Sequence, residues 1–231
     1  MSIHGLNKLT LLDFPGKVAA TIFLGNCNFR CPFCHNRDLV LDPENQPVIY
    51  AEEILAFLKK RQGILDGVCI TGGEPTLYSG LESLIRQIRN LGFAVKLDTN
   101  GYRPAIVKDL VSKNLLDMIA MDIKSSPEGY PQATGIRHLD TDPIRETVRF
   151  LMEGHVPYEF RTTVVKELHS QSTFETIGQW ISGCSAYYLQ AYKDSDTVIH
   201  RGFHSNTKEE LEEYRQLLLK TIPVVGIRGI D

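Results

Sequence analysis

The 231-residue chain has no apolar run near the roughly 18 residues that a membrane-crossing helix needs, so no membrane partner is expected. It also lacks a block of like charge. Its 25 Lys and Arg are interspersed with 28 Asp and Glu, and a net charge of -3 leaves no electrostatic footprint for nucleic acid. The first fourteen residues carry no basic stretch followed by a long apolar one; no signal peptide is read there, and the expected location is the cytoplasm. Cysteine is scarce and odd in number: three of the five, Cys27, Cys31 and Cys34, lie within eight residues, which suits neither a paired disulfide framework nor an oxidising compartment. What is present is ordinary for a globular protein, 42% hydrophobic and 23% charged residues, enough to bury about 70% of the unfolded surface. No repeat or low-complexity linker divides the chain, so a single domain over 1–231 is expected.

Short β-rich runs alternate with helical patterns. Strands are predicted over 18–24, 67–71, 94–98, 117–122, 158–165 and 186–190, with 224–227 as a terminal extra. Ser79 with Glu82, Ser172 with Glu175, and Thr207 with Glu210 read as capping boxes; Asp142 with Pro143 reads as a helix start, and 51–62 and 104–112 complete the helices. Six strand–helix units imply parallel strands joined by crossovers, fewer than the eight of a closed barrel of about 250 residues. The expected fold is an open, partial (β/α)6 barrel, with a doubly wound sheet as the alternative.

The three clustered cysteines have the spacing C-x3-C-x2-C in a loop directly after the first predicted strand. Thiolates are soft ligands, and three of them leave one position of a four-coordinate site open for reaction. On spacing alone an Fe-S cluster, a zinc site completed by His35, and unligated buried cysteines all remain open. Cys69 and Cys184 read as small apolar residues. Gly72-Gly73-Glu74-Pro75 follows the second predicted strand, where paired glycines permit close approach to the backbone. Asp98, Thr99 and Asn100 close the third strand and Asp122 and Lys124 the fourth, so all point to one rim, where parallel β/α folds assemble their sites. Arg161, a charge in an apolar strand, needs a partner and suits a carboxylate. Gln190 ends the sixth strand toward the same pocket.

The segment Gly25-Asn26-Cys27-Asn28-Phe29-Arg30-Cys31-Pro32-Phe33-Cys34-His35-Asn36 resembles the cluster loop of the radical S-adenosylmethionine (SAM) superfamily, and its Cys-His-Asn ending resembles the activating enzymes of glycyl radical enzymes. The resemblance continues through Thr71-Gly72-Gly73-Glu74-Pro75, Leu97-Asp98-Thr99-Asn100-Gly101, Met121-Asp122-Ile123-Lys124 and Thr134-Gly135. It implies a cluster loop at 25–37 in which Cys27, Cys31 and Cys34 ligate a 4Fe-4S cluster. SAM contacts are implied at Phe33, Cys34, His35, Gly72, Gly73, Glu74, Asp98, Thr99, Asp122, Lys124 and Arg161, and a monovalent cation is a further expectation near Asp98 and Asp122.

Gly5 to Gly16 resembles the longer type of anaerobic ribonucleoside-triphosphate reductase activating protein. Pyruvate formate-lyase activating enzymes usually read Asp-Gly-Pro-Gly there. Phe14 and Lys17 depart from that pattern, and the histidine expected after the sixth strand is replaced by the Leu189-Gln190-Ala191-Tyr192 stretch. The implied activity is reductive cleavage of SAM to place a glycyl radical on a partner enzyme, with a flavodoxin or ferredoxin-type electron donor. The alternatives are another glycyl radical enzyme, of the pyruvate formate-lyase type, or a small-molecule substrate as in 7-carboxy-7-deazaguanine synthases.

Overall fold

The computed structural model describes residues 2–230. Eight strands, β1 (Ile3–Thr10), β2 (Ala19–Leu24), β3 (Gly67–Gly72), β4 (Ala94–Thr99), β5 (Met118–Asp122), β6 (Tyr158–Val164), β7 (Tyr187–Ala191) and β8 (Val225–Arg228), form one sheet in chain order. All neighbours from β2 to β8 are parallel, and β1 pairs antiparallel with β2. The edge strands β1 and β8 do not meet, so the sheet stays open. Helices supply the crossovers: after the short α1 (Arg37–Leu41) come α2 (Ala51–Lys59), α3 (Leu81–Asn90), α4 (Pro104–Ser112), α5 (Tyr130–Thr134), α6 (Asp142–Met152), α7 (Gln171–Trp180) and α8 (Lys208–Leu218). No described helix is long and apolar enough to cross a membrane.

Alternation along the strands divides the sheet chemically. Ile22, Ile70, Leu97 and Ile119 stand side by side in register, fully buried on the face that packs against the helices. Each such side chain contributes about 1.5–3 kcal/mol on leaving water. The opposite, inner face is polar. Asp98, Ala120 and Glu159 share one row across β4, β5 and β6, and Asp122, Arg161 and Tyr188 share the next across β5, β6 and β7. Charges on this face are matched pairwise. Glu159, 2% exposed, accepts both arms of the Arg228 guanidinium at 2.7 and 2.8 Å, and that guanidinium lies 3.5 Å over the Tyr188 ring, tying β8 to β6 across β7.

The parallel core matches the expected partial barrel, with its predicted strand limits shifted by one residue or less. Two edges add to it. The terminal run pairs in parallel as β8, and β1 is a strand that the sequence pattern does not predict. Register shifts between Ile3 and Gly5 and between Asn7 and Thr10 break its alternation, so its exposure does not follow a two-residue period. The sheet is therefore mostly rather than wholly parallel. Two capping expectations also fail. The α3 N-cap is Gly80, with no side-chain cap, because Glu82 is drawn to Arg86 and Lys113 instead. The α7 box is made by Ser170 with Thr173, two residues earlier than expected. Thr207 and Glu210 form their box as expected.

Removing Arg228 leaves a buried carboxylate without donors. Arg228→Ala is expected to cost about 1–3 kcal/mol in chemical denaturation, and adding Glu159→Leu should recover part of that loss. Equal losses in the single and double variants would assign the effect to Arg228 packing alone.

Candidate active site

A cavity of about 170 Å³ opens at the C-terminal ends of β3, β4 and β5, beneath the loop that follows β2. Cys27, Cys31 and Cys34 line it from the loop, together with Phe29, Phe33, His35 and Asn36; Thr71, Gly72 and Gly73 line it from β3, and Asp98, Thr99, Asn100, Asp122 and Lys124 from β4 and β5. Among the site residues read from the sequence, Glu74 and Arg161 lie behind this wall. Gln190 is on the inner face but pairs in register with Thr163 and Arg228, outside the cavity lining.

The loop is held from several sides by backbone bonds. Asn26 N–H donates to the Leu39 carbonyl at 2.8 Å, Arg30 N–H to the Thr134 carbonyl at 2.8 Å, and Glu74 N–H to the Asn26 carbonyl at 2.8 Å. This crowding accounts for the paired glycines. A Cβ on Gly73 would lie 2.0 Å from the Asn26 carbonyl oxygen, and one on Gly72, at φ +122, would lie 2.2 Å from that of Leu24. The close approach is made here by the chain itself, by the end of β2 at Gly72 and by the cysteine loop at Gly73. Asn36, which closes the loop, donates from Nδ2 to the Gly72 carbonyl at 2.6 Å.

Glu74 is fully buried. Its Oε1 accepts from the Thr76 N–H (3.0 Å), the Thr76 hydroxyl (2.5 Å) and the Thr99 hydroxyl (2.8 Å), and its Oε2 accepts from the Asn100 N–H (2.7 Å). Burial raises its carboxyl pKa, against the pull of these donors. The residue positions the ends of β3 and β4 and does not face the cavity.

Five charges of alternating sign run along the inner face. Lys96, 1% exposed, donates to Asp98 Oδ1; Arg161 Nη1 lies 3.2 Å from Asp98 Oδ2 and its Nε 3.0 Å from Asp122 Oδ1; Lys124 Nζ lies 2.9 Å from Asp122 Oδ2. Burial opposes ionisation of Asp122, but Arg161 and Lys124 prevail and hold it at about 2. The same carboxylate raises the Lys124 pKa against burial. Cys69 belongs to this row, with Sγ 3.6 Å from Asp98 Oδ1, in a more polar setting than its reading as a small apolar residue implies. Each carboxylate oxygen already faces a Lys or Arg, so this geometry does not fit a monovalent cation between Asp98 and Asp122.

Lys124 is further fixed through its backbone. Its N–H donates to the Tyr130 hydroxyl at 3.1 Å, and its carbonyl receives His169 Nε2–H at 2.9 Å. The tautomer is settled by the other ring nitrogen, Nδ1, which accepts from the Val165 N–H at 2.9 Å. Phe33 meets the His169 ring edge-on at 6.4 Å. Sequence reading missed His169 and Tyr130, since no local pattern links them to β5. His35 Nε2 bonds the Lys193 carbonyl at 2.6 Å.

Burial pushes the Cys27 and Cys31 thiols up to about 12, with Glu74 adding to the effect at Cys27. Without a cation to hold they are neutral at pH 7, and binding a metal group there displaces protons. A single zinc ion is disfavoured. Among the described residues no three His, Cys, Asp or Glu side chains converge as one ion requires, and His35 is engaged elsewhere. Three thiols spread around a cavity fit a polynuclear group with one unligated position.

The family model of the radical SAM superfamily matches residues 21–177. A protein of Methanocaldococcus jannaschii named as a glycyl-radical enzyme activating enzyme is 30% identical over 239 residues, covering 99% of this chain and 96% of that one. The pyruvate formate-lyase-activating enzyme of Clostridium pasteurianum is 29% identical over 139 residues, 58% of this chain and 57% of its own. Among solved structures, Streptococcus suis SuiB bound to SAM aligns with a TM-score of 0.70 at 14% identity, over 88% of this chain and 48% of that one, a likeness of fold alone.

The Glu74 network predicts an effect of one atom. In Glu74→Gln the new amide must face either the Thr76 or the Asn100 N–H, donor against donor. The variant should lose about 1–3 kcal/mol of stability in thermal or chemical denaturation, and unchanged stability would remove Glu74 from its organising role.

Proposed function

The chain belongs to the radical SAM superfamily, and we propose that Cys27, Cys31 and Cys34 hold its 4Fe-4S cluster, that SAM binds beside them, and that the partner is a glycyl radical enzyme, the anaerobic ribonucleoside-triphosphate reductase. One observation carries this reading: all three thiols line a single cavity with Gly72, Gly73, Asp98, Thr99, Asp122 and Lys124. The near full-length match to a protein named as an activating enzyme supports a protein substrate over a small one. The choice of reductase rests on the resemblance of residues 5–16, which form most of β1 and the turn after it.

A cluster held by Cys27, Cys31 and Cys34 would supply the electron for reductive cleavage of SAM, the chemistry that would allow hydrogen to be taken from a glycine α-carbon of the partner. The protein's own residues bind, orient and shield. The Lys124 ammonium, partly exposed at the cavity wall and aimed by its Tyr130 and His169 bonds, suits a carboxylate. The Gly72 and Gly73 backbone offers polar contacts for an amino-acid moiety, while the Thr99 hydroxyl is committed to Glu74 and Gly101. Phe33, buried against His169, offers an apolar surface to a base and excludes water. Arg161 acts from behind, holding Asp98 and Asp122 in place. A flavodoxin or ferredoxin-type protein is the proposed electron donor.

The test is anaerobic reconstitution, reduction with SAM present and assay of 5'-deoxyadenosine, followed by mixing with purified candidate partners and electron paramagnetic resonance (EPR). A glycyl signal on the reductase but not on pyruvate formate-lyase is the expected result; 5'-deoxyadenosine with no glycyl signal on either would point to a small-molecule substrate. Cys31→Ala should abolish cleavage, and wild-type activity in that variant would overturn the ligand assignment.

Lys96 and Arg161 already neutralise the two aspartates. SAM affinity measured calorimetrically in sodium, potassium and choline salts of equal ionic strength should therefore vary by no more than about twofold. A requirement for sodium or potassium would show that a cation displaces one of these side chains.

A further inference from the structure

We propose that the outer rim of the cysteine loop docks an acidic one-electron carrier protein through Arg30, Arg37, Arg137 and Lys193. The inference rests on the reading that Cys27, Cys31 and Cys34 hold a cluster that must be reduced. Electron transfer between proteins falls off steeply with distance, so a carrier has to meet the chain close to its redox group. Cys27 and Cys34 are only partly buried, which brings the loop itself to the surface.

Charge distinguishes this surface. The loop at 25–37 holds two arginines, Arg30 and Arg37, and no acid; both arginines are exposed. Flanking segments add to them. The Arg30 N–H bonds the Thr134 carbonyl, and a Cβ on Gly135 would lie 2.5 Å from the Arg30 carbonyl oxygen, so the exposed Arg137 stands two residues from a contact with the loop. On the other flank the exposed Lys193 offers its carbonyl to His35 Nε2 at 2.6 Å. Arg30 is fixed against the loop backbone. Its Nη1 donates to the Cys27 carbonyl at 2.5 Å and the Phe29 carbonyl at 2.8 Å, which holds a cation beside the first cysteine.

Among the described residues, none of these four cations forms an ion pair with a carboxylate. Most neighbouring acids are engaged elsewhere: Asp196 pairs with Arg201 at 2.8 Å, Asp194 accepts from the Tyr192 hydroxyl at 3.0 Å, and Asp140 accepts from the Asp142 N–H at 3.0 Å. Asp38, in the first turn of α1, is the exception. The chain as a whole carries a charge of -3 and would repel an acidic carrier, so uncompensated cations at the loop direct one to this face. A small, polar interface suffices for such a short encounter. In it the carrier loses one electron and the cluster gains it, with no bond or proton exchanged.

The test measures 5'-deoxyadenosine formation by reconstituted protein with two reductants, dithionite and a reduced acidic flavodoxin. A rim variant carrying Arg37→Glu, Arg137→Glu and Lys193→Glu is compared with wild type and with a control carrying Lys59→Glu, Lys60→Glu and Arg61→Glu, which reverses as many exposed charges at the end of α2. Arg30 is left intact because it bonds the Cys27 carbonyl. With dithionite all three proteins should turn over alike. With flavodoxin the rim variant alone should show a KM for the carrier raised about tenfold, and the wild-type KM should rise with ionic strength. An unchanged KM in the rim variant, an equal rise in the control, or wild type that is active with dithionite but not with flavodoxin would overturn the proposal. So would a rim variant that cleaves SAM normally with both reductants but gives a weaker glycyl EPR signal, which would assign the face to the glycyl radical partner. Should the rim variant not fold, a wild-type KM independent of ionic strength would overturn it. Wild type that forms no 5'-deoxyadenosine with dithionite would instead overturn the cluster reading itself.

Discussion

A carboxylate with no access to water must find its donors inside the protein, and Glu74 finds them in its own turn and in β4. Its two oxygens take the Thr76 N–H and hydroxyl, the Thr99 hydroxyl and the Asn100 N–H. This requirement joins pieces that are distant in sequence. The end of β3 cannot shift without exposing the carboxylate, and the end of β4 cannot shift without removing two of its donors. The cysteine loop is drawn into the same unit, because the Glu74 N–H holds the Asn26 carbonyl and Asn100 holds Asn28. Positional precision at the cavity therefore originates in a residue that does not line it. Leaving one such buried group unpaired costs about 1–3 kcal/mol, comparable to fully burying a Leu or Ile side chain.

The inner face of the sheet obeys a related electrostatic rule. Lys96, Asp98, Arg161, Asp122 and Lys124 alternate in sign across three strands, so every anion sits between cations. A row of this kind has little freedom: moving one member uncovers the charge of the next, and an unpaired charge away from water is expensive. The row ends with a cation, Lys124, at the cavity wall. Its ammonium is the member of the row that is both at that wall and bound to only one carboxylate, so it retains capacity for an incoming anion. Arg161, by contrast, spends its donors on two aspartates and serves the site indirectly.

Much of this was legible in the sequence because it is local. The short β-rich runs mark the parallel strands, and the C-x3-C-x2-C cysteines, the paired glycines and the strand-end Asp98, Thr99, Asp122 and Lys124 converge on one cavity. What escaped was non-local. Strand β1 has two register shifts and no clean alternation, so only its pairing with β2 reveals it. His169 and Tyr130 bear on Lys124 from 45 and 6 residues away, through backbone atoms that carry no sequence signal. The glycines illustrate a subtler gap: Gly72 and Gly73 read as places of close approach, but sequence does not say whether the visitor is a ligand or the chain's own Leu24 and Asn26 backbone. The misplaced caps have an equally physical cause, since Glu82 has two cations within reach and no reason to turn back on the helix start.

The far side of the cysteine loop is supported by the segment that follows β7. Beyond β7 the chain returns along the loop through turns and bends over 196–200. The Ile199 N–H donates to the Cys34 carbonyl at 3.2 Å and the His200 N–H to the Pro32 carbonyl at 2.8 Å, while the Arg37 N–H donates to the Thr197 carbonyl at 3.3 Å. His35 adds its bond to the Lys193 carbonyl from the loop side, against the Tyr192 ring. Val198, 1% exposed, anchors the returning segment in the core. A histidine within the loop thus reaches out to the segment after β7. The loop is gripped between this segment and the β3 end, where Gly73 admits it closely, and a loop gripped on both sides holds three cysteines around a cavity without any disulfide between them.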